Sequence, residues 1–342
     1  VRRIIDIQKQ LLPDLTYILD KRYKILHQIM LSSIIGRRSL VQSTGLTERV
    51  LRSEVEFLKE QGLVEVEAMG IRITPAGRRL VEEMEPIIKS LLGLSEMEEL
   101  IRKAFNLKQV VIVPGDSDTS PFTKQELGRA GAAVLRRVVN RDDVVAVAGG
   151  STLAEVADGL TSSPVFKDNL FVPARGGLGE DVELQANSIA SEMAKRTGCQ
   201  YRLLHVPDHL SEDAYVSLSQ EPNIQELVEV IRSAKIVIHG IGNAVVMAKR
   251  RGVSSRTIAE LQREGVLAEA FGYYFSPEGK VVRNIPTVGL RLEDIEQIDT
   301  VIGVAGGQSK AQAIISVLRY GHEDILVTDE AAADKIYQFL NP

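Results

Sequence analysis

Apolar positions along the chain follow two different rhythms. In the first ninety residues they recur at helical spacing. Leu15, Ile18, Leu19, Tyr23, Ile25, Leu26, Ile29 and Met30 lie close to an i, i+3, i+4, i+7 stripe, which predicts a helix over 14–31. A short second helix is expected to start from a cap at Ser39, run through Thr44 and stop at Gly45. Thr47 is a good cap for the next helix. Its apolar face is Val50, Leu51, Val55 and Leu58, and its outer face carries Glu48, Arg49, Arg52, Ser53 and Glu56. Gly62 ends it. Val64-Glu65-Val66 and Ile71-Arg72-Ile73-Thr74 then alternate like two strands around a tip at Met69-Gly70, and Pro75 opens another helix. A helical connector follows, with Leu80, Val81, Met84, Ile87, Ile88, Leu91 and Leu92 apolar; Pro86 is expected to interrupt it and Gly93 to stop it. Ser95-Glu96-Met97-Glu98 resembles a capping box ahead of Leu100, Ile101, Ala104 and Phe105. The connector reads equally as an interdomain helix or as a dimer contact.

From residue 107 the rhythm changes to short β-branched runs separated by helical stretches. The runs are Val110–Val113, Val144–Ala148, Leu170–Pro173, Leu203–Val206, Ile236–His239, Val301–Ala305 and Ile325–Thr328. Continuous runs of this kind are buried parallel strands, and helices between them give a layered α/β body. The pattern therefore predicts an N-terminal winged helix-turn-helix, residues 1–90 with the connector helix, and a C-terminal α/β domain, residues 91–342. A length of 342 residues suits two domains, and 44% hydrophobic with 25% charged residues excludes a largely disordered chain.

Charge sharpens the division. Residues 1–90 hold 15 Lys and Arg against 12 Asp and Glu, a net of +3, whereas residues 91–342 hold 26 against 34, a net of −8. An acidic body repels nucleic acid and a mildly basic N-terminal piece does not. A helix-turn-helix with a hairpin wing is a module for reading duplex DNA. Thr47, Arg49, Arg52 and Ser53 fall on the face such a helix turns to the major groove, and Arg37, Arg38 and the wing residue Arg72 suit phosphates. The competing reading is a winged helix used for protein contact. The single cysteine, Cys199, excludes an intrachain disulfide and a Cys-rich zinc site, and suits a reducing cytoplasm. Without an apolar run of about 18 residues no membrane helix is expected. Arg2 and Arg3 are followed by Asp6, Gln8, Lys9 and Gln10, which is not a signal-peptide pattern.

In the body, glycines stand at the carboxyl ends of the expected strands, where ligands bind in open α/β sheets. Val147-Ala148-Gly149-Gly150-Ser151-Thr152 and Val304-Ala305-Gly306-Gly307-Gln308-Ser309-Lys310 resemble each other. Each offers backbone donors and a hydroxyl, and the second adds a cation, which together with Arg175 points to an anionic, phosphorylated ligand. Tight strand-to-helix turns needing glycine for geometry alone are the plainer reading of any one loop. The P-loop pattern is absent, and Gly240-Ile241-Gly242 lacks the third glycine of a dinucleotide fingerprint. His205 and His209 are four apart, but Pro207 between them speaks against a metal site. Cys199 reads as a packed thiol. Glu269 could serve as a base or accept from sugar hydroxyls, although by itself it reads as a solvated helix-end carboxylate.

Three strings carry a family resemblance: Arg175-Gly176-Gly177-Leu178-Gly179-Glu180-Asp181, Glu269-Ala270-Phe271-Gly272-Tyr273-Tyr274-Phe275 and Val304-Ala305-Gly306-Gly307. With the winged helix and the start Leu11-Leu12-Pro13-Asp14-Leu15, they resemble the SorC family of bacterial transcriptional regulators over nearly the whole chain. The resemblance implies a repressor of a glycolytic operon that binds its double-stranded DNA operator cooperatively as a homo-oligomer, a dimer or a tetramer. It implies a C-terminal sensor similar in fold to glucosamine-6-phosphate deaminase and ribose-5-phosphate isomerase, without catalysis, cofactor or metal, and with fructose-1,6-bisphosphate as effector. Carried over by motif, Gly149, Gly150, Ser151 and Thr152 would hold one phosphate, and Ser151, standing where threonine is expected, can still donate. Arg175 and Gln185 would line the pocket, Arg250 and Arg251 would meet the other phosphate, Glu269 would contact sugar hydroxyls, and Lys310 would pair with phosphate. Two alternatives remain at this point: a sugar-phosphate isomerase or deaminase-like enzyme, and a SorC-type regulator that senses another phosphosugar.

Overall fold

The computed structural model describes residues 13–341 apart from Ser33, 178–180, 208–211 and Pro286. Leu11, Leu12, Leu178, Gly179, Glu180 and His209, all singled out above, lie outside the described residues. The chain divides into two compact units: Val1–Met97 with Ser120–Phe122, and Glu98–Thr119 with Thr123–Pro342.

The first unit is a winged helix. Its elements are α1 (Pro13–Leu31), α2 (Arg37–Thr44), α3 (Glu48–Glu60), β1 (Val64–Glu67), β2 (Gly70–Ile73) and α4 (Pro75–Leu91). The apolar stripe of α1 supplies Tyr23, Ile25, Leu26 and Ile29 to a core completed by Leu40, Leu51, Val55, Leu58, Val64, Ile71, Val81 and Ile88. Gly45 adopts the left-handed conformation that turns α2 into α3 and returns its N–H to the Val41 carbonyl. The Thr47 side chain then accepts from the Val50 amide, as a cap should. β1 and β2 pair antiparallel, and Ile35 adds a bridge to Ile71.

Three local expectations fail here. The α2 cap is Gly36, with no side-chain bond, so Ser39 sits inside the first turn rather than before it. α4 runs unbroken through Pro86, because Val81, Ile88 and Leu91 bury its face on either side and outweigh one missing amide bond. The next helix, α5 (Leu94–Ala104), begins before Ser95, so Ser95 does not cap it.

The second unit is built on a seven-stranded sheet in the order β3-β13-β12-β7-β4-β5-β6, every pair parallel. In chain order its elements are β3 (Gln109–Val113), α6 (Pro121–Val138), β4 (Val144–Val147), α7 (Ser151–Gly159), β5 (Leu170–Pro173), α8 (Ala186–Thr197), β6 (Gln200–Tyr201), α9 (Glu212–Ser219), α10 (Pro222–Arg232) and β7 (Ile236–His239). A smaller antiparallel sheet follows, from β8 (Gly242–Asn243), β9 (Ala268–Ala270), β10 (Tyr273–Phe275) and β11 (Val281–Asn284), with α11 (Ala244–Arg250) and α12 (Ser255–Arg263) inserted. The chain then returns through α13 (Leu292–Ile295), β12 (Thr300–Val304), α14 (Ala311–Tyr320), β13 (Ile325–Asp329) and α15 (Glu330–Leu340). Val145, Val147, Phe171, Ile236, Ile238, Ile302, Val304 and Val327 from the sheet pack with Leu135, Leu153, Val156, Ile189 and Met193 from the helices. This accounts for the apolar runs that marked the strands.

One run does not form a strand. In the segment Leu203–Val206 the Leu204 amide and carbonyl both bond the Asn187 side chain, so the ladder ends after Tyr201. Cys199 follows the αL residue Gly198 and packs on the core with its thiol on the Phe166 carbonyl, as a packed thiol should. Among the described residues no cluster of His, Cys, Asp or Glu could hold a metal ion, and no helix is long and apolar enough to cross a membrane.

A buried-edge ion cluster fixes α3 against α1. Glu54 of α3 meets Lys21 at 2.5 Å and Arg22 at 2.8 Å, and the Arg22 guanidinium stacks on the Phe57 ring at 3.6 Å. Burial raises the Glu54 carboxyl, but the hydrogen bonds and charges of Lys21 and Arg22 outweigh it and hold the group below its ordinary value of 4.5. Its stabilisation is complete above that ordinary value and is lost as pH falls through the depressed one. Glu54→Gln should therefore cost about 1 kcal/mol of stability near neutral pH, and the difference from wild type should shrink toward pH 3. Thermal melts of both proteins across that range check it.

Candidate functional site

On the first unit Arg37, Arg38, Thr47, Arg49, Arg52 and Ser53 are all exposed along α2 and the first half of α3. Arg72 is exposed on the wing strand β2, loosely paired with Glu67 at 3.6 Å. Leu51, Val55 and Leu58 turn inward on α3, so Arg52, next to Leu51, and Arg49, two positions before it, face out. The surface is that of a helix offered to a groove, with cations at its base and on its wing.

On the second unit the ten residues expected around a ligand come together. Gly149, Gly150, Ser151, Thr152, Arg175, Gln185, Arg250, Arg251, Glu269 and Lys310 all line one cavity of about 330 Å³. Its position follows from topology. From β4 the chain steps outward through β5 and β6, and from β7 it steps the other way through β12 and β13. Strands β4 and β7 are neighbours, so the loops leaving their carboxyl ends diverge and open a crevice. The cavity is lined by Ala148–Ser151 after β4, Gly240–Asn243 after β7, Arg175 and Gly176 after β5, and Ser309 and Lys310 after β12.

The two glycine loops that look alike in sequence differ in the fold. At the first, Gly150 caps α7 with a φ of 124° and no side-chain bond. A side chain on Gly149 would collide with the Leu184 carbonyl at 2.8 Å. The first-turn amides of α7, the Ser151 and Thr152 hydroxyls and the positive end of the helix dipole are thus available to an anion. At the second loop the amides are already taken. The Gly307 N–H donates to Asp329 at 2.6 Å, Gln308 to Asp116 at 3.4 Å and Ser309 to Asp118 at 2.8 Å. The expectation that both loops present backbone donors is corrected: the second contributes Ser309 and the Lys310 cation.

Glu269 is corrected more sharply. It is no solvated helix-end carboxylate but a strand residue of β9 with a side chain 6% exposed. Its Oε1 accepts from Arg251 at 2.8 Å, from Arg175 at 3.4 Å and from the Gly272 amide at 2.6 Å. The Arg251 guanidinium also reaches the Tyr274 hydroxyl at 3.4 Å and is 2% exposed, so Arg251 stands in the wall as the partner of Glu269. Arg250, next to it, is exposed toward the cavity mouth. Burial lowers the Lys310 ammonium from its ordinary value. Asp118 and Asp329 oppose the shift, and Lys124 and Arg250 add to it. The lining holds Arg175, Arg250, Arg251 and Lys310 against Asp181 and Glu269, an excess of positive charge within an acidic body.

Asp181, Ile241, Asn243, Met247 and Phe271 also line the cavity and were not singled out for it. The signal for three of them lay in the Gly240-Ile241-Gly242 loop after β7. Glycine at 242 leaves room for Met247, and Asn243 caps α11 by accepting from Val245 and Val246.

Comparison with known proteins agrees with both units. Residues 18–88 match the CggR N-terminal DNA binding domain, and residues 89–338 match Sugar-bind, a family described as a sugar-binding domain. The chain is 47% identical to the central glycolytic genes regulator of Priestia megaterium over 100% of both chains. It is 45% identical to the protein of that name in Bacillus subtilis, over 98% of this chain and 99% of the relative. The crystal structure of a SorC family transcriptional regulator from Enterococcus faecalis superposes with a TM-score of 0.66 at 41% identity, covering 71% of this chain and 99% of that one. These relatives are named regulators and not enzymes. The chain belongs to the SorC family of transcriptional regulators, with a DNA-binding domain of the CggR type preceding a sugar-binding domain.

Proposed function

We propose that this protein is a cytoplasmic repressor of a glycolytic operon whose binding to its DNA operator, as a homo-oligomer, is modulated by fructose-1,6-bisphosphate in the switch-point cavity. The observation that carries the effector reading is the cavity's charge. An excess of cations and an uncapped helix N-terminus converge on one crevice of a domain that is otherwise acidic. A neutral sugar needs no such site, whereas a bisphosphate needs two separated cationic ends. The names of the full-length relatives point to glycolytic genes as the target.

In this reading one phosphate sits on the first turn of α7, taking the amides and hydroxyls of Ser151 and Thr152. The other phosphate meets Arg250 and Lys310. Its negative charge offsets the repulsion and burial that disfavour the Lys310 ammonium, so binding favours the charged amine. Arg251 and Arg175 orient Glu269, whose carboxylate accepts from the sugar hydroxyls between the two ends, and Gln185 completes the wall. The effector acts by binding one assembly or DNA-affinity state better than another, since only differential affinity shifts the populations.

Calorimetric titration of the purified full chain should give saturable heat with fructose-1,6-bisphosphate and none with glucose-6-phosphate or ribose-5-phosphate. Heat with one of the controls alone would reassign the effector to another phosphosugar. Arg52→Ala should weaken operator binding by about 1–3 kcal/mol and leave effector binding unchanged. Lys310→Ala should weaken effector binding about tenfold or more and leave operator affinity without effector unchanged. Gel-shift titrations beside calorimetry separate the two, and loss of both activities in both variants would contradict the division of labour.

A further inference from the structure

Behind the cavity lies a buried histidine–glutamate contact that the effector reading does not use. His239 closes β7 and is wholly buried, and its Nε2 stands 2.8 Å from Glu323 Oε1. Glu323 lies in the turn before β13 and reaches His239 past Gly303, where a Cβ would come within 2.9 Å of its Oε2. The other ring nitrogen, Nδ1, lies 3.1 Å from the Gly240 carbonyl oxygen. A carbonyl only accepts, so Nδ1 carries the hydrogen and anchors the ring, while Nε2 makes no hydrogen bond. A pair of apolar side chains of similar size would fill this space at less desolvation cost, so the buried polar contact calls for a role.

The face of the His239 ring meets Phe271, with centroids 4.2 Å apart and planes at 38°. Phe271 lines the cavity and sits in the left-handed region at φ 53°, followed by Gly272 at φ 84°. The two are the central residues of the turn joining β9 to β10, where Ala270 pairs with Tyr273. A two-residue turn with both φ values positive favours Asn-Gly, and a bulky aromatic in its first place is disfavoured. The turn nevertheless holds the site together. The Gly272 amide is the third donor on Glu269 Oε1, and the Arg175 guanidinium fills the space that a Cβ on Gly272 would need, at 2.8 Å.

We infer that His239, anchored through Nδ1 on the Gly240 carbonyl and packed beside Glu323, is a positioning residue for the effector cavity: its contact with Phe271 keeps the turn left-handed, and so keeps the Gly272 amide on Glu269. The inference rests on the effector reading above for its functional half, and its structural half can be read without a ligand. The test uses the full chain as wild type, His239→Leu, Phe271→Asn and the double variant. Each is titrated with fructose-1,6-bisphosphate, and the Gly272 amide proton is followed by NMR in glycine-labelled, ligand-free protein. His239→Leu should weaken effector binding at least about tenfold and move the Gly272 signal toward that of a solvent-facing amide. In the Phe271→Asn background the turn favours this hand by itself. Adding His239→Leu there should change affinity by less than about twofold and leave the Gly272 signal in place. Equal losses in both backgrounds, or no loss from His239→Leu alone, overturn the inference. If His239→Leu does not fold alone, the double variant should, and a double variant that stays unfolded overturns it too. No binding by wild type would overturn the effector reading instead, and the Gly272 signal would then decide the positioning role by itself.

Discussion

One carboxylate oxygen organises the second unit. Glu269 Oε1 gathers donors from three parts of the chain: Arg175 after β5, Arg251 after α11 and the Gly272 amide in the turn after β9. Two guanidinium groups and one carboxylate, all nearly out of solvent, are costly to bury unless the geometry satisfies them together. The antiparallel sheet and the end of the parallel sheet are tied to each other at this point. The turn at Gly272 brings its amide to this carboxylate, and Gly242 pairs with Glu269 across the small sheet. The surplus positive charge then faces the crevice that the parallel sheet opens between β4 and β7.

The DNA-binding unit uses the same chemistry at the edge of its core. Glu54 draws Lys21 and Arg22 onto α3, and the Arg22–Phe57 stack closes the cluster. This sets the pitch of α3 against α1 while leaving Arg49 and Arg52 on the far face to solvent. A helix anchored by charges on one side can present charges on the other without becoming floppy, because its apolar residues Leu51, Val55 and Leu58 remain sequestered.

Much of this was legible in the sequence, for identifiable reasons. The winged helix is local: helical stripes, a left-handed glycine at 45, a threonine cap at 47 and a two-strand alternation act over a few residues each. The parallel strands declare themselves because burial on both faces removes polar positions. Local signals failed where distant groups decide. Leu203–Val206 reads as a strand until Asn187 claims its backbone. The Gly306-Gly307 loop reads as an anion cradle until Asp116, Asp118 and Asp329 fill it from elsewhere in the chain. Glu269 reads as solvated because its partners stand at 175 and 251. The residues around the cavity were found by motif and resemblance, but the division of roles between Arg250 and Arg251 exists only in three dimensions.

The cavity carries two unlike kinds of donor. One is a helix terminus whose donors are fixed in the backbone, and the other is a pair of side-chain cations, Arg250 and Lys310. In the proposed reading one phosphate would meet backbone donors and the other side-chain cations. In that reading a ligand with one phosphate leaves the other donors unneutralised and binds too weakly to register, whereas a second phosphate quenches them. Discrimination between the two is then a matter of leftover charge rather than of shape, and it would weaken as added salt takes over the screening of that charge.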